Sequence, residues 1–151
     1  MVLTIDDPTR KEQIARDILS QLPDWFGVPE STLDYIHSCR EKPSWAVFSG
    51  DKVQSFIALK ETSPATAEIY VMGVLPEYHH KGIGRALFDT LTAYARTHGY
   101  SFLQVKTVRK GYWASYDMTN EFYIAIGMKE FECFPNYWDE KNPCQIYIKS
   151  I

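Results

Sequence analysis

The chain is poor in cysteine, and its cysteines form no pattern. Cys39, Cys133 and Cys144 are the only three in 151 residues, and none of them is part of a C-x-x-C spacing. An odd number of cysteines without such spacing excludes a disulfide framework and gives no zinc signature. We therefore expect no metal site, with Cys39 and Cys144 buried as small hydrophobic residues.

Long apolar runs are also absent. The longest run, residues 69–75, is far shorter than the roughly 20 residues that a membrane-spanning helix needs. The first five residues lead directly into Asp6, Asp7 and Pro8, without the basic start and apolar stretch of a signal peptide. The sequence therefore predicts a cytoplasmic protein that does not cross a membrane.

An excess of basic residues is missing as well. Sixteen lysines and arginines stand against nineteen acidic residues, which gives a net charge of −3. No overall positive field is present to hold nucleic acid, so we expect no nucleic-acid partner. A hydrophobic share of 45%, with 15% aromatic residues, is enough for one folded domain over residues 1–151 and excludes disorder as the main state.

The order of predicted elements indicates an α/β protein with a mixed sheet. Asp7 before Pro8 predicts the start of a helix over about 8–21, and Ser31 predicts the cap of a second short helix. The remaining pattern predicts a hairpin (45–48 and 53–59, turning at Gly50), a strand (67–75), a helix (82–98), a strand (102–108), a helix (115–126) and two final strands (128–134 and 145–151). The strand–helix–strand unit over 67–108 favours a parallel connection.

A glycine-rich segment between the third strand and its helix resembles an anion site. Residues 74–88 contain Gly82 and Gly84 together with four potentially cationic side chains, namely His79, His80, Lys81 and Arg85. Glycines allow backbone N–H groups to turn inward, and a helix N-terminus adds donors with a positive dipole end. The spacing fits neither a Walker loop nor a complete dinucleotide fingerprint. An ordinary strand-to-helix turn is the alternative.

The same segment resembles motif A of the GCN5-related N-acetyltransferases, written V-x-P-x-x-[RQ]-x-x-G-x-[GA]. Val74, Pro76, Gly82 and Gly84 match it in register, and residues 120–128 resemble the family's motif B. The order of elements agrees over nearly the whole chain. The resemblance implies a central mixed, mostly antiparallel sheet of six to seven strands, flanked by about four helices.

By this resemblance the acyl donor is acetyl-CoA. Its pyrophosphate is expected on the backbone of the loop formed by His79, His80, Lys81, Gly82, Ile83, Gly84 and Arg85. Its pantetheine is expected along Met72 to Val74, with a further contact from Asn120. His79 stands where the family usually has Arg or Gln, so donor affinity is expected to strengthen as the pH falls and an imidazole acquires charge.

The resemblance also implies direct attack of an amine on the thioester, without a metal. Tyr123 matches the family tyrosine that protonates the departing thiolate, and the alternative is an aromatic residue of the core. Glu68 is the first candidate for the base, although an ordinary strand position explains it equally well. Tyr70 shares the face of Glu68 if no bulge intervenes.

The resemblance implies that the acceptor lies between the first two helices and the last hairpin. Aromatic and acidic residues in these segments favour a small cationic amine, polyamine-like or aminosugar-like, as the acceptor. The candidate acceptor residues are Trp25, Phe26, Tyr70, Trp113 and Trp138. Peptide N-termini and lysines are alternative acceptors. Two other classes fit the same loop, namely an acyl-CoA-binding or regulatory module without transfer and a nucleotide-binding regulatory domain. The aromatic content is also compatible with a homodimer.

Overall fold

The computed structural model describes residues 1–151, which form one seven-stranded sheet with helices on both faces. The strands are β1 (Val2–Ile5), β2 (Ser44–Ser49), β3 (Lys52–Ser63), β4 (Thr66–Val74), β5 (Phe102–Val108), β6 (Lys129–Asp139) and β7 (Asn142–Ser150). The helices are α1 (Pro8–Leu19), α2 (Pro29–Ser38), α3 (Ile83–Thr97) and α4 (Ala114–Ala125). Two 3₁₀ turns lie at Cys39–Glu41 and Pro76–Tyr78.

The strand order is β1-β2-β3-β4-β5-β7-β6, and only β4 and β5 run parallel. The other five pairs are antiparallel. The predicted mixed, mostly antiparallel sheet with four helices is therefore confirmed. β4 and β5 are parallel because α3 connects them. The helix carries the chain from the end of β4 back to the level of its start, and β5 then runs in the same direction.

Local sequence set most element boundaries. The Asp7 carboxylate accepts a hydrogen bond from the Arg10 N–H at 2.8 Å, which confirms the predicted cap of α1. α1 ends at Leu19, slightly before the predicted residue 21. The predicted cap of α2 was wrong, because Val28 occupies that position and the helix begins at Pro29, two residues before Ser31. Proline supplies the pre-set φ of a first helical residue.

Strand β1 was not predicted. It is four residues long and pairs with β2, with Val2 opposite Val47. So short a segment carries no alternation of its own, and its pairing is a tertiary event. The structure also buries Cys39 and Cys144 as expected, and all three cysteines are free. None of the helices is long and apolar enough to cross a membrane.

Two apolar cores lie on opposite faces of the sheet. One core joins α1 and α2 to the sheet through residues such as Ile18, Ile36 and Phe56. The other joins α3 and α4 to it through residues such as Leu91 and Tyr123. A sheet covered on both faces explains why β3 and β4 contain so few exposed positions.

A bulge in β4 changes which side chains face which core. Ile69 lies opposite Leu59 and Val71 lies opposite Ala58, so Tyr70 is left without a partner on β3. Ile69 belongs to the α3–α4 core, whereas Val71 belongs to the α1–α2 core. The extra residue therefore reverses the alternation beyond residue 70.

Candidate active site

The strands β4 and β5 separate partway along their length. Their ladder runs from Thr66 opposite Phe102 to Ile69 opposite Val105 and then stops. β4 continues to Val74, paired only with β3, and β5 continues to Val108, paired only with β7. This opening, called the β4–β5 gap below, leaves the inner edge of β4 free to pair with an extended ligand, as an added strand would. Met72 and Val74 lie on that segment.

The glycine-rich loop beyond β4 presents a set of free backbone donors. The N–H groups of His80, Lys81 and Gly82 donate to no backbone carbonyl. No side chain caps α3, so the first N–H groups of the helix, from Ile83 to Arg85, also lack partners. Donors at a helix N-terminus, with its positive dipole end, suit a phosphate or pyrophosphate.

Left-handed backbone shapes this loop. Gly82 has a φ of +79° and is the N-cap of α3, and His80 has a φ of +60°. A Cβ at Gly82 would meet no atom within 4 Å, so glycine is needed there for its backbone conformation rather than for space. The loop residues His80, Lys81, Gly82 and Arg85 are exposed, as a binding surface requires.

The His79 side chain turns back toward the strand. Its Nε2 lies 2.8 Å from the Val74 carbonyl, to which it donates, because a carbonyl can only accept. The edge of Trp25 packs against the imidazole with ring centroids 6.2 Å apart. His79 therefore holds the loop against β4, at the position where the family usually has Arg or Gln.

Gly84 allows α3 to approach its neighbours closely. A Cβ on Gly84 would lie 3.1 Å from the Phe122 ring and 3.2 Å from the Met72 methyl group. The match of Gly84 to motif A thus has a packing reason, because the first turn of α3 sits directly against β4 and α4. That contact brings the free donors of the loop to the end of the β4–β5 gap.

Glu68 lies on the α1–α2 side of the sheet and is only 5% exposed. Its Oε1 accepts hydrogen bonds from Lys106 Nζ at 2.6 Å and from Gln104 Nε2 at 3.0 Å. Burial opposes a charge on Lys106, but the hydrogen bond and the negative charge of Glu68 outweigh it and raise the pKa of the ammonium. Oε2 makes no hydrogen bond in the chain, yet it is not fully enclosed. This second oxygen can accept a proton or a hydrogen bond from a ligand.

Glu68 opens into a small cavity of about 90 Å³. The cavity is lined by Tyr35, Lys60, Glu68, Ile69, Tyr70, Lys106, Tyr137 and Trp138. The lining comes from α2, from β3 to β5 and from the far end of β6. Of the first two helices and the last hairpin, which the resemblance implies as the flanking elements, α1 contributes no residue. Tyr70 faces the same cavity as Glu68 even though a bulge does intervene. A larger depression, about 270 Å³, lies beside α1 and the β2–β3 turn and shares no residue with this site.

Tyr123 lies on the opposite face, in the α3–α4 core. Its hydroxyl makes no hydrogen bond within the chain but is not fully enclosed, so it can still donate a proton to a ligand. Burial raises the pKa of the Tyr123 phenol above its ordinary value. The phenol therefore stays protonated at neutral pH, as a proton donor must.

Asn120 is fully buried and makes three hydrogen bonds inside the protein. Its Nδ2 donates to the carbonyls of Val108 at 2.8 Å and Tyr116 at 2.6 Å. Its Oδ1 accepts from the Tyr147 hydroxyl at 2.6 Å. Asn120 thus ties α4 to the end of β5 and to β7. Both Nδ2 donors are used, so its predicted contact with pantetheine would fall to the second lone pair of Oδ1. That contact stays a prediction.

Three of the residues proposed for the acceptor do not line the cavity. Trp25 is half-buried and donates to the Ser115 carbonyl at 3.1 Å and to Thr119 Oγ1 at 2.9 Å, which fixes the α1–α2 link to α4. Phe26 packs edge-on against Tyr35, behind the cavity wall. Trp113 is exposed and donates to the Lys141 carbonyl at 3.0 Å. The structure brings together only Tyr70 and Trp138 of the five.

Sequence reasoning missed several residues of the site. Lys60 lies directly opposite Glu68 on β3, and Tyr35 reaches the cavity from α2. Lys106, on β5, pairs with Glu68. The charge pattern gave no signal for these neighbours, because the register of three strands and the bulge at Tyr70 decide which side chains meet.

These features describe an acyltransferase site, and comparisons with known proteins agree. The model of the acetyltransferase (GNAT) family matches residues 12–118. A structure assigned to that family from Desulfovibrio desulfuricans superposes with a TM-score of 0.82, at 17% identity, over 99% of this chain and 98% of its own. No curated protein matches the chain in sequence.

Two further structures of similar fold have more specific descriptions. An aminoglycoside 6′-N-acetyltransferase complexed with coenzyme A has a TM-score of 0.76 at 16% identity, over 99% of this chain and 96% of its own. The ribosomal-protein-S18-alanine N-acetyltransferase of Escherichia coli has a TM-score of 0.76 at 19% identity, over 100% of this chain and 94% of its own. At such identities the likeness concerns the fold.

The chain belongs to the GNAT family of acetyltransferases, since the family model covers well over half of it. The family uses acetyl-CoA as its acyl donor. The residues present fit that donor, because the free N–H groups of the glycine-rich loop suit a pyrophosphate and the free edge of β4 suits an extended pantetheine arm. The recognition made from Val74, Pro76, Gly82 and Gly84 is confirmed.

Proposed function

We propose that this protein transfers an acetyl group from acetyl-CoA directly to the primary amine of a small molecule. The observation that carries the proposal is the β4–β5 gap, which has a candidate acid on one face of the sheet and a candidate base on the other. Two reactants can then meet in the opening from opposite sides, which holds them in reacting geometry.

The donor is held by the backbone in this proposal. The free N–H groups of His80 to Arg85 bind the pyrophosphate, and the inner edge of β4 from Met72 to Val74 binds the pantetheine. Acetyl-CoA supplies the thioester carbonyl and the thiolate that departs. His79 shapes the loop from behind through its bond to the Val74 carbonyl.

Glu68 and Tyr123 move the protons. Oε2 of Glu68 accepts the proton that the acceptor ammonium must lose before it can attack, directly or through one water. The Tyr123 phenol donates a proton to the departing thiolate, since burial keeps the phenol protonated. Each group faces its own side of the gap, so the two proton transfers do not compete for one residue.

The cavity beside Glu68 supports an amine as the entering group. About 90 Å³ accommodates the amine and the few atoms next to it. Trp138 offers an aromatic face there, which supports an ammonium as the entering group. An aminoglycoside enzyme among the structural relatives supports a small acceptor, whereas the S18-alanine enzyme keeps a protein amine as the alternative.

The donor site is tested by the shift in unfolding temperature with acetyl-CoA, CoA and ATP in parallel. A ligand that binds the folded state raises the unfolding temperature by mass action. We expect a clear rise with acetyl-CoA and CoA and none with ATP. No rise with either CoA form at saturating concentration would contradict the proposal, and a rise with ATP alone would favour a nucleotide-binding role.

Turnover is tested by release of free CoA thiol in the presence of amines. We expect release to depend on the amine and to fall strongly in Tyr123→Phe. Tight binding of acetyl-CoA without release for any amine or peptide would instead indicate a binding module. The cytoplasmic location and a homodimer are kept as proposals from the sequence, and light scattering of the purified chain tests the dimer.

A further inference from the structure

The charges around the acceptor cavity are mostly positive. Lys60 and Lys106 both line it, and Glu68 is the only carboxylate in the lining. Lys42 lies just outside, with its Nζ 4.5 Å from the centre of the Tyr70 ring. The exposed Asp34 also acts on Tyr70 electrostatically. In the lining itself, two ammonium groups stand against one carboxylate.

These lysines differ in whether they have a partner. Lys106 is neutralised by Glu68 at 2.6 Å. Lys60 and Lys42 form no ion pair with any carboxylate in the chain. Their ammonium groups lie over Tyr70 instead, 5.7 Å from the ring centre for Lys60. The cavity therefore offers a neutral Glu68–Lys106 pair together with an unpaired ammonium at its edge.

Lysine ammonium groups already lie over two of the aromatic rings near the cavity. Those of Lys42 and Lys60 lie over the Tyr70 ring, and that of Lys106 lies 5.9 Å from the centre of the Tyr137 ring. An acceptor that carries only positive charge would have to enter beside these ammonium groups, and like charges at such distances repel. A polyamine or an aminosugar with several amines is thus a poor match to the cavity.

We propose that the acceptor carries a carboxylate next to its amine, as a free α-amino acid does, and that Lys60 binds this carboxylate. The proposal rests on the acetyltransferase function proposed above and specifies its acceptor. Lys60 and Glu68 are directly opposite each other on β3 and β4. Cross-strand neighbours lie about 5 Å apart, and the amine and carboxylate of an amino acid are separated by one carbon, so the two groups can be held at once.

In this proposal the two ends of the acceptor's head group contact different side chains. The amine lies toward Oε2 of Glu68, which has no partner in the chain, and the carboxylate lies toward Lys60, with Lys42 adding longer-range attraction. The cavity of about 90 Å³ accommodates only this head group. The rest of the acceptor extends past Tyr137 and Trp138, which are 58% and 40% exposed.

The test compares α-amino acids with the amines that remain when the α-carboxylate is removed, using CoA release as the readout. The wild-type protein is expected to show kcat/KM about tenfold or more higher for the amino acid of each pair. Lys60→Met keeps the apolar stem of the side chain and removes the charge. It is expected to raise KM for amino acids about tenfold and to leave the matched amines unchanged.

Lys129→Met is the matched control. Lys129 is exposed on β6, four strand spacings or about 19 Å from β3, where salt screens its charge from the cavity. Its substitution is expected to change neither class of acceptor. An equal loss for amino acids and amines in Lys60→Met would overturn the proposal, as would a wild-type preference for the amines.

A second measurement does not depend on the donor. Glycine and methylamine are each titrated into the protein without acetyl-CoA, and binding is followed by the chemical shifts of backbone amides. Glycine is expected to shift the amides of β3 and β4 in the wild-type protein and not in Lys60→Met, whereas methylamine shifts them in neither. If the protein binds acetyl-CoA but saturating glycine shifts no amide, the proposed carboxylate contact is contradicted and the proposed transfer is not. If glycine shifts the amides but acetyl-CoA does not bind, the proposed transfer is contradicted and the carboxylate contact is not.

Discussion

Lys106 donates to Oε1 of Glu68 at 2.6 Å from a position one residue beyond the end of the β4–β5 ladder. The bond therefore spans the point where the two strands begin to separate. It holds the candidate base in place with one oxygen and leaves the other oxygen facing the cavity. Because both groups are largely removed from water, the pair is sensitive to loss of either partner.

Glu68→Gln removes the negative partner of Lys106 and the proposed base. We expect kcat to fall about 100-fold and the unfolding free energy to fall by about 1–2 kcal/mol, as Lys106 loses its charged partner. Steady-state rates over a range of pH, with chemical denaturation, measure both. Lys106→Met is the control, since it breaks the same ion pair but keeps the carboxylate. A rate in Glu68→Gln that matches the wild type at every pH would eliminate Glu68 as the base.

Tyr123→Phe removes only a hydroxyl that has no partner in the chain. The unfolding free energy is therefore expected to change by less than about 1 kcal/mol, whereas kcat falls about 100-fold because the thiolate loses its proton donor. The pKa of Tyr123 is raised by burial, so the wild-type kcat should show no loss from its ionisation below about pH 10. A normal kcat in Tyr123→Phe would leave Tyr123 as a core aromatic.

Gly82→Ala tests the left-handed loop. A φ of +79° costs an L-residue about 1 kcal/mol, and relaxation of the loop would move its free N–H groups. We expect a lower unfolding temperature and weaker binding of acetyl-CoA, measured by calorimetry. Gly50→Ala is a matched control, because Gly50 has a φ of +59°, is equally open and lies in the β2–β3 turn. It should lose similar stability and bind acetyl-CoA normally. Equal donor affinity in both variants would argue against the loop as the pyrophosphate site.

Asn120→Ala separates a structural role from a donor contact. Loss of three buried hydrogen bonds is expected to lower the unfolding free energy by about 2–4 kcal/mol. Tyr147→Phe removes only the bond to Oδ1 and should cost about 1 kcal/mol. If Asn120 also contacts pantetheine, KM for acetyl-CoA rises in Asn120→Ala more than in Tyr147→Phe. Equal KM values in the two folded variants would leave Asn120 with its structural role alone.

Tyr116→Phe tests the contact between α4 and the α1–α2 link. The Tyr116 hydroxyl donates to the Trp25 carbonyl at 2.6 Å, and burial raises the pKa of Tyr116 to about 12. At pH 7 the variant should lose about 1 kcal/mol of stability. Between about pH 10 and 12 the unfolded phenol ionises while the folded phenol does not, so wild-type stability declines by about 1.4 kcal/mol per pH unit from this group. The difference between the two proteins should therefore shrink and then reverse in sign as pH rises through this range. A constant difference in denaturation curves up to pH 11 would contradict it.

The sequence alone determined the family, most of the elements and the glycine-rich loop. Gly82 and Gly84 are local requirements, one for a left-handed backbone and the other for close packing, and local requirements are visible in the order of residues. Helix caps and the turn at Gly50 are of the same kind. The start of α2 was placed wrongly because Ser31 and Pro29 both give start signals two residues apart.

Only the tertiary structure decided which side chains surround the cavity beside Glu68. Trp25 and Trp113 have the right chemistry, but their indole N–H groups are held by backbone and side-chain oxygens outside the cavity. Lys60 stands opposite Glu68, and Lys106 pairs with it, because of strand register and the end of the β4–β5 ladder, which depend on pairing between distant segments. Sequence composition showed the aromatic residues and carboxylates of an amine site, and the fold added the lysines that change its charge. Pairing across a sheet is set by the packing of whole strands, so no local pattern in the chain could have revealed it.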